Sequence, residues 1–381
     1  MTRGGERDRA RSTLLSVRNM LLLLGGGAAY TAGTANGMLC MRQRPLDRQL
    51  PHSIIMSEGR ICTPGSLAAR VEDAVFTVYG AAGTERVRGS LHALDTGVSL
   101  DRRLADGELM VQQANSYIDD LTPKPWHDAS QHKWAKQLEK KWTVVRDELR
   151  ASLRNEARLA ATGNNVWGGL DASISEYGQE WKTLPLCDRT VWDETNSALF
   201  PKTCALLTKS KVPLVEAFFA KMGPNSDIKP HSDMCNVCAH TFANDVTHSH
   251  SELSVGTLIR PLAHSSCRSQ FVLTSHLGVD VPEGECDLTV GDETVEWRNG
   301  KVTLFDTSIL HKAENRASVT RYILMMRVYH PELSQLERSA LKLVFDCLDE
   351  PELLEDREAL GEYHERRAAV EAASRRAWEK R

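Results

Sequence analysis

Lys229-Pro230-His231-Ser232-Asp233, read with Gly300-Lys301-Val302-Thr303-Leu304-Phe305-Asp306-Thr307-Ser308-Ile309-Leu310-His311, decides how this 381-residue chain is expected to fold. Side chains of a β-strand alternate between faces, so His231 and Asp233 reach one ion together while Ser232 points away. His311, at the end of an apolar run, adds a third donor. Two imidazoles and a carboxylate form the set with which a non-haem ferrous site keeps three coordination positions open. Arg321 follows ten residues after His311. A planar guanidinium clamps a carboxylate through two parallel charge-assisted hydrogen bonds. Arg321 is therefore the expected anchor for the far carboxylate of a keto acid such as 2-oxoglutarate. The donor set does not name its metal, and zinc or manganese with a different reaction fits the same three residues.

Outward from this pair of segments the chain reads as short strands. Val215 to Met222 is an apolar strand, and the turn at 223–227 delivers His231. Phe271 to Val281, Cys286 to Val290, Glu293 to Trp297, Val302 to Leu304 and Arg321 to Val328 follow, punctuated by Gly-Asp and Asn-Gly turns. Upstream, Trp134, Leu138, Trp142, Val145 and Leu149 share one face of a helix expected over His132 to Ala160. Asp128 reads as a cap and His127 as a packing residue, not as metal ligands. Phe200 begins a short helix, and Cys204 in it is a buried small residue with no activating partner.

Several blocks resemble a known family. They are Thr122-Pro123-Lys124-Pro125-Trp126-His127-Asp128, Trp181-Lys182-Thr183-Leu184-Pro185-Leu186, Phe200-Pro201-Lys202-Thr203-Cys204 and Pro230-His231-Ser232-Asp233. Further ones are Ser275-His276-Leu277-Gly278-Val279-Asp280-Val281-Pro282, the run 300–311, and Tyr329-His330-Pro331-Glu332-Leu333. Together they make residues 122–335 similar to the aspartyl/asparaginyl β-hydroxylases. The resemblance implies a mainly β fold with flanking helices, a double-stranded β-helix (jelly-roll) core, and chemistry dependent on Fe(II), 2-oxoglutarate and O2. It implies an Asp or Asn side chain of a peptide or protein as substrate. His231 and His311 match the family's iron-binding histidines, and His276 and Arg321 match positions that hold 2-oxoglutarate. Three positions depart. Asp233 stands where the best-known animal members carry glycine, and it restores a full facial triad. Ala220 stands in place of a serine at the far carboxylate. Thr274 replaces an arginine at the keto-acid end, where it still offers one hydrogen bond; Lys221 is the nearby cation. The alternative is a non-catalytic relative that binds a peptide or a metal.

Beyond this domain the sequence says less. The formal net charge of −4 has both signs mixed and offers no basic face, so nucleic acid is not an expected partner. The nine cysteines are odd in number and scattered, with no disulfide framework to read. Residues 237–270 form an insertion; without them His231 and His311 stand as far apart as in the resembling family. With Cys235 this stretch offers Cys238, His240, His248, His250, His264 and Cys267, so a structural zinc site, a surface loop and a gene-model artefact all fit. At the N-terminus, residues 1–44 are expected to be a targeting or anchor segment. Arginines precede an uncharged run over 19–41 that is long enough to span a bilayer. A membrane anchor with a luminal (ER or Golgi) catalytic domain is the expectation, and an organellar transit peptide also fits. Residues 45–121 read as a linker and helical lead-in without chemistry, and 336–381 as a charged helical tail whose faces are solvated.

Overall fold

Alternating burial along the strands sets the layers of this protein, for which a computed structural model describes residues 61–379 except 93–94, 96–99, 115, 155–166, 170–179 and 234–270. The strands in chain order are β1 (Leu100–Arg103), β2 (Val111–Ala114), β3 (Gly168–Gly169), β4 (Trp181–Asp188), β5 (Val191–Trp192), β6 (Leu214–Met222) and β7 (Ser226–His231). They continue with β8 (Val272–Asp280), β9 (Cys286–Val290), β10 (Glu293–Glu296), β11 (Val302–Phe305), β12 (His311–Asn315) and β13 (Arg321–Tyr329). One sheet runs β11-β8-β13-β6-β4-β3 and the other β10-β9-β12-β7, with antiparallel pairing throughout.

The larger sheet is covered on both faces, which explains why β8 is buried from Val272 to Val279. On one face Ala217, Phe219, Leu277, Leu324 and Met326 pack on helices. Phe218, Ala220, Met222, Ile323 and Met325 instead meet Ile228, Leu288, Val290 and Ala313 from the smaller sheet. Two antiparallel sheets closed face to face around this inner core form the expected double-stranded β-helix.

The helices are α1 (Leu67–Tyr79), α2 (Glu85–Ser90), α3 (Lys133–Leu153), α4 (Glu194–Leu199), α5 (Pro201–Ser210), α6 (Gln335–Asp349), α7 (Arg357–Gly361) and α8 (Tyr363–Glu379). As the spacing predicts, α3 buries Trp134, Leu138, Val145 and Leu149 against the larger sheet, and Trp142 packs at the edge of that stripe. Asp128 caps the short turn ahead of it by accepting from Ser130 N at 2.8 Å.

Two stretches differ from expectation. The lead-in contains a hairpin, β1-β2, that sequence patterning misses because its four-residue strands are half exposed and carry little apolar alternation. The C-terminal helices are not wholly solvated. In α6, Leu341, Leu343, Val344 and Phe345 join α1 in a core at one end of the larger sheet, and Trp378 of α8 packs edge-on against Trp192. Among the described residues no helix is long and apolar enough to cross a membrane. The run 19–41, the insertion 237–270 and the cysteines and histidines named in it, Cys235 included, lie outside the described residues.

Candidate metal centre

β7 and β12 are neighbours in the smaller sheet, and their register sets His231 directly opposite His311. Asp233 leaves β7 two residues later, and its N–H donates to the Thr307 carbonyl at 2.9 Å, which ties it to the loop that delivers His311. The three side chains therefore converge. Asp233 Oδ1 lies 3.3 Å from His231 Nε2 and 3.8 Å from His311 Nε2, and all three donor atoms fall within 4.8 Å of one another. Each imidazole turns Nδ1 to a backbone carbonyl, Lys229 at 2.7 Å and Ile309 at 2.9 Å. Those bonds place the proton on Nδ1 and present the Nε2 lone pair to the centre, as a metal-binding histidine requires.

Electrostatics favour the ligating forms. Burial and the neighbouring His231 push His311 down to about 4, so it is neutral at physiological pH. Burial opposes ionisation of Asp233, yet the Arg327 guanidinium and the two imidazoles hold its carboxyl well below the usual carboxylate range. The site thus offers a neutral His311 imidazole and an ionised Asp233 carboxylate without protons to displace.

The hairpin missed by sequence reading buttresses this centre. Gln113 N donates to Ser308 O at 2.7 Å and Leu310 N to Val111 O at 2.9 Å, so β2 runs along the loop before His311. Gln112 Nε2 donates to Ser308 Oγ at 2.9 Å and to Asp306 Oδ2 at 3.2 Å. On the other ligand segment, Ser232 Oγ donates to Gln113 Oε1 at 3.3 Å.

Next to the triad is a cavity lined by His276, Trp297, Phe305, Arg321, Ile323 and Met325. Arg321 is 1% exposed, with its guanidinium 4.2 Å over the Trp297 ring and Nη2 donating to Met222 Sδ at 3.2 Å. Its Nε and Nη1 make no hydrogen bond among the described residues. Burial pulls its pKa down to about 10, so it remains a cation in an apolar wall. Trp297 Nε1 donates to His276 Nδ1 at 3.1 Å. That bond puts the imidazole proton on Nε2, which also lacks a hydrogen-bond acceptor among the described residues. Burial, then Arg321, drives His276 well below its ordinary pKa and keeps it neutral. Buried N–H groups of Arg321 and His276 that are unbonded among the described residues, one of them on a cation, suit an anion.

The other residues singled out in the sequence take different places. Thr274 is fully buried on the same face of β8 as His276, beside the cavity and not in its wall, and its Oγ1 is unbonded among the described residues. Lys221 points to the opposite face of β6, with Nζ 4.8 Å over the Trp167 ring, so it brings no charge to the cavity. Ala220 is fully buried in the inner core. Sequence reasoning passed over Trp297 and Arg327. An arginine inside the otherwise apolar run of β13, six residues after Arg321 and so on the same face, is the signal that would have found the second.

A family model described as aspartyl/asparaginyl beta-hydroxylase matches residues 139–331, more than half of the chain. The aspartyl/asparaginyl beta-hydroxylases of Mus musculus and Homo sapiens are each 25% identical to it over 234 residues. That alignment covers 60% of this chain but only 26% of the mouse protein, so the chain spans about a quarter of the first relatives it matches. The ornithine lipid ester-linked acyl 2-hydroxylase of Rhizobium tropici is 25% identical over 210 residues, covering 54% of this chain and 61% of that relative. Among solved structures, a 2OG-Fe(II) oxygenase family oxidoreductase from Burkholderia pseudomallei is similar over 48% of this chain and 81% of its own, at TM-score 0.28 and 11% identity. A family match that takes in both imidazoles, the carboxylate, His276 and Arg321 leads to one conclusion: the chain belongs to the aspartyl/asparaginyl β-hydroxylase family.

Proposed function

We propose that this protein is an Fe(II)- and 2-oxoglutarate-dependent dioxygenase that hydroxylates an Asp or Asn side chain, or a related one, in a peptide or protein. The observation that carries the reading is the buried Arg321 guanidinium, whose Nε and Nη1 have no hydrogen bond among the described residues, in a cavity shared with His231, Asp233 and His311. When bound, ferrous iron with 2-oxoglutarate supplies the oxidising chemistry: O2 is consumed, the keto acid leaves as succinate and CO2, and one oxygen atom goes to the substrate.

The chain's own work is holding and excluding. His231 Nε2, His311 Nε2 and Asp233 Oδ1 hold the metal, with their tautomers and orientation fixed by the Lys229 and Ile309 carbonyls. Arg321 receives the far carboxylate of the co-substrate, and Trp297 below it screens that charge pair from water. His276, on the neighbouring strand β8, donates Nε2–H to the co-substrate in the tautomer that Trp297 selects. Ile228, Leu288, Ile323 and Met325 keep the space dry and strengthen every charge interaction inside it.

A second reading, a non-catalytic binding module, is favoured by Ala220 and Thr274, which lack the donors the family has there. The two are separated by incubating the purified protein with Fe(II), 2-oxoglutarate and Asp- or Asn-containing peptides, then measuring succinate and peptide mass. Succinate formed together with a peptide heavier by one oxygen atom is the expected result. Absence of both, from protein that binds Fe(II), transfers the case to the binding module.

A further inference from the structure

The cavity face of β13 carries a second arginine. Arg327 lies six residues beyond Arg321, is 1% exposed, and is flanked in register by Glu216 on β6 and Thr274 on β8. Its Nη2 donates to Asp233 Oδ2 at 3.1 Å, while its Nε sits 3.7 Å from Glu216 Oε2. A covered guanidinium is costly to bury unless it is engaged, and this one is hydrogen-bonded to the Asp233 carboxylate with the Glu216 carboxyl group close behind it. The oxygens of Asp233 are thereby divided. Oδ1 faces His231 Nε2 and His311 Nε2 at 3.3 and 3.8 Å, and Oδ2 faces Arg327.

Carboxylates bind metals through one oxygen or two, and the difference matters here. A facial triad with a one-oxygen carboxylate leaves three positions, enough for a chelating keto acid and O2. A two-oxygen carboxylate removes one of them. We propose that Arg327 is a positioning residue which, by occupying Oδ2, makes Asp233 a one-oxygen ligand and keeps that coordination position open, with Glu216 bracing the guanidinium from behind. This inference rests on the metal-site reading of the proposed function.

Mn(II) is the probe, because water-proton relaxation counts the exchangeable waters on it. The full chain and its Arg327→Met variant are loaded with Mn(II), and relaxation and 2-oxoglutarate affinity are measured on both. The variant is expected to bind Mn(II) with one water fewer and to bind 2-oxoglutarate at least tenfold more weakly. A residue that merely stabilised the fold would leave the water count unchanged. Wild-type relaxation and keto-acid affinity in a folded variant overturn the inference and leave the metal site standing. Failure of the wild type to bind Mn(II) removes the proposed function, and this inference with it. Should Arg327→Met not fold, a crystal structure of the wild type with Mn(II) decides. One Asp233 oxygen on the metal and the other on Arg327 supports the assignment; both oxygens on the metal overturn it.

Discussion

Arg321 is a buried cation in an apolar wall, and that makes its two contributions opposite in sign. With no ligand bound, its desolvation is only partly offset by the Trp297 face and Met222 sulfur. Arg321→Met is therefore expected to raise the stability of the ligand-free protein by roughly 1–3 kcal/mol. The same change should weaken 2-oxoglutarate binding by about 2–5 kcal/mol, the cost of truncating one partner of a buried charge pair. Calorimetry with and without the keto acid checks both, and unaltered keto-acid affinity would contradict the assignment. At this scale the meeting of His231, Asp233 and His311 was legible, because H-x-D on a strand fixes two donors and a histidine closing an apolar run supplies a third. Arg327 left a signal in its place within an apolar strand, but its partner, and the parts of Glu216 and Trp297, were not legible. Their partners depend on which strand lies beside which and in what register, and a single sequence does not state that.

Among the elements, β8 and the turn after β10 carry the second prediction. A Cβ on Gly278 would lie 2.2 Å from the Arg298 carbonyl oxygen, so only glycine lets residues 297–300 lie against β8 and bring Trp297 to His276 and Arg321. Gly278→Ala should destabilise by about 2–4 kcal/mol through backbone displacement. It should also weaken keto-acid binding by loosening Trp297; chemical unfolding and a binding titration test the two parts. Apolar strands such as β9, matched to the residue over Cys286–Val290, were readable from alternation because each buries one or both faces. The β1-β2 hairpin was not, since its bonds go to the loop before His311 and its own pattern is polar.

At the scale of the whole molecule, helices drawn from both ends of the described chain pack on the barrel, and their charges form part of the join. Arg189, at the β4–β5 turn, bonds Asp346 at 3.1 Å and Asp349 at 2.6 Å on α6, and Arg367 of α8 reaches Asp346 at 3.2 Å. Charge runs look like solvated faces in a sequence, and only tertiary contact shows which of them are paired. His127 packs edge-on against His330 at 5.2 Å, and burial with that neighbour pushes His127 down to about 4. A histidine whose folded pKa lies below the unfolded value of 6.5 binds fewer protons when folded. Its stabilisation is complete above pH 6.5 and is lost as pH falls toward 4. The full shift corresponds to about 3 kcal/mol, reduced to roughly 1–2 because the ring is only partly covered. Urea unfolding at pH 7 and 4.5 should show a drop smaller by that amount in His127→Phe, and an equal drop would contradict it. The proposed function requires that His231, Asp233 and His311 hold one ferrous ion and that Arg321 receive the far carboxylate of the keto acid bound to it. Anaerobic titration with Fe(II) followed by 2-oxoglutarate tests it most directly. The wild type should develop the visible iron-to-keto-acid charge-transfer band and His311→Ala should not, whereas a wild type that shows no band and turns over no 2-oxoglutarate would contradict the account.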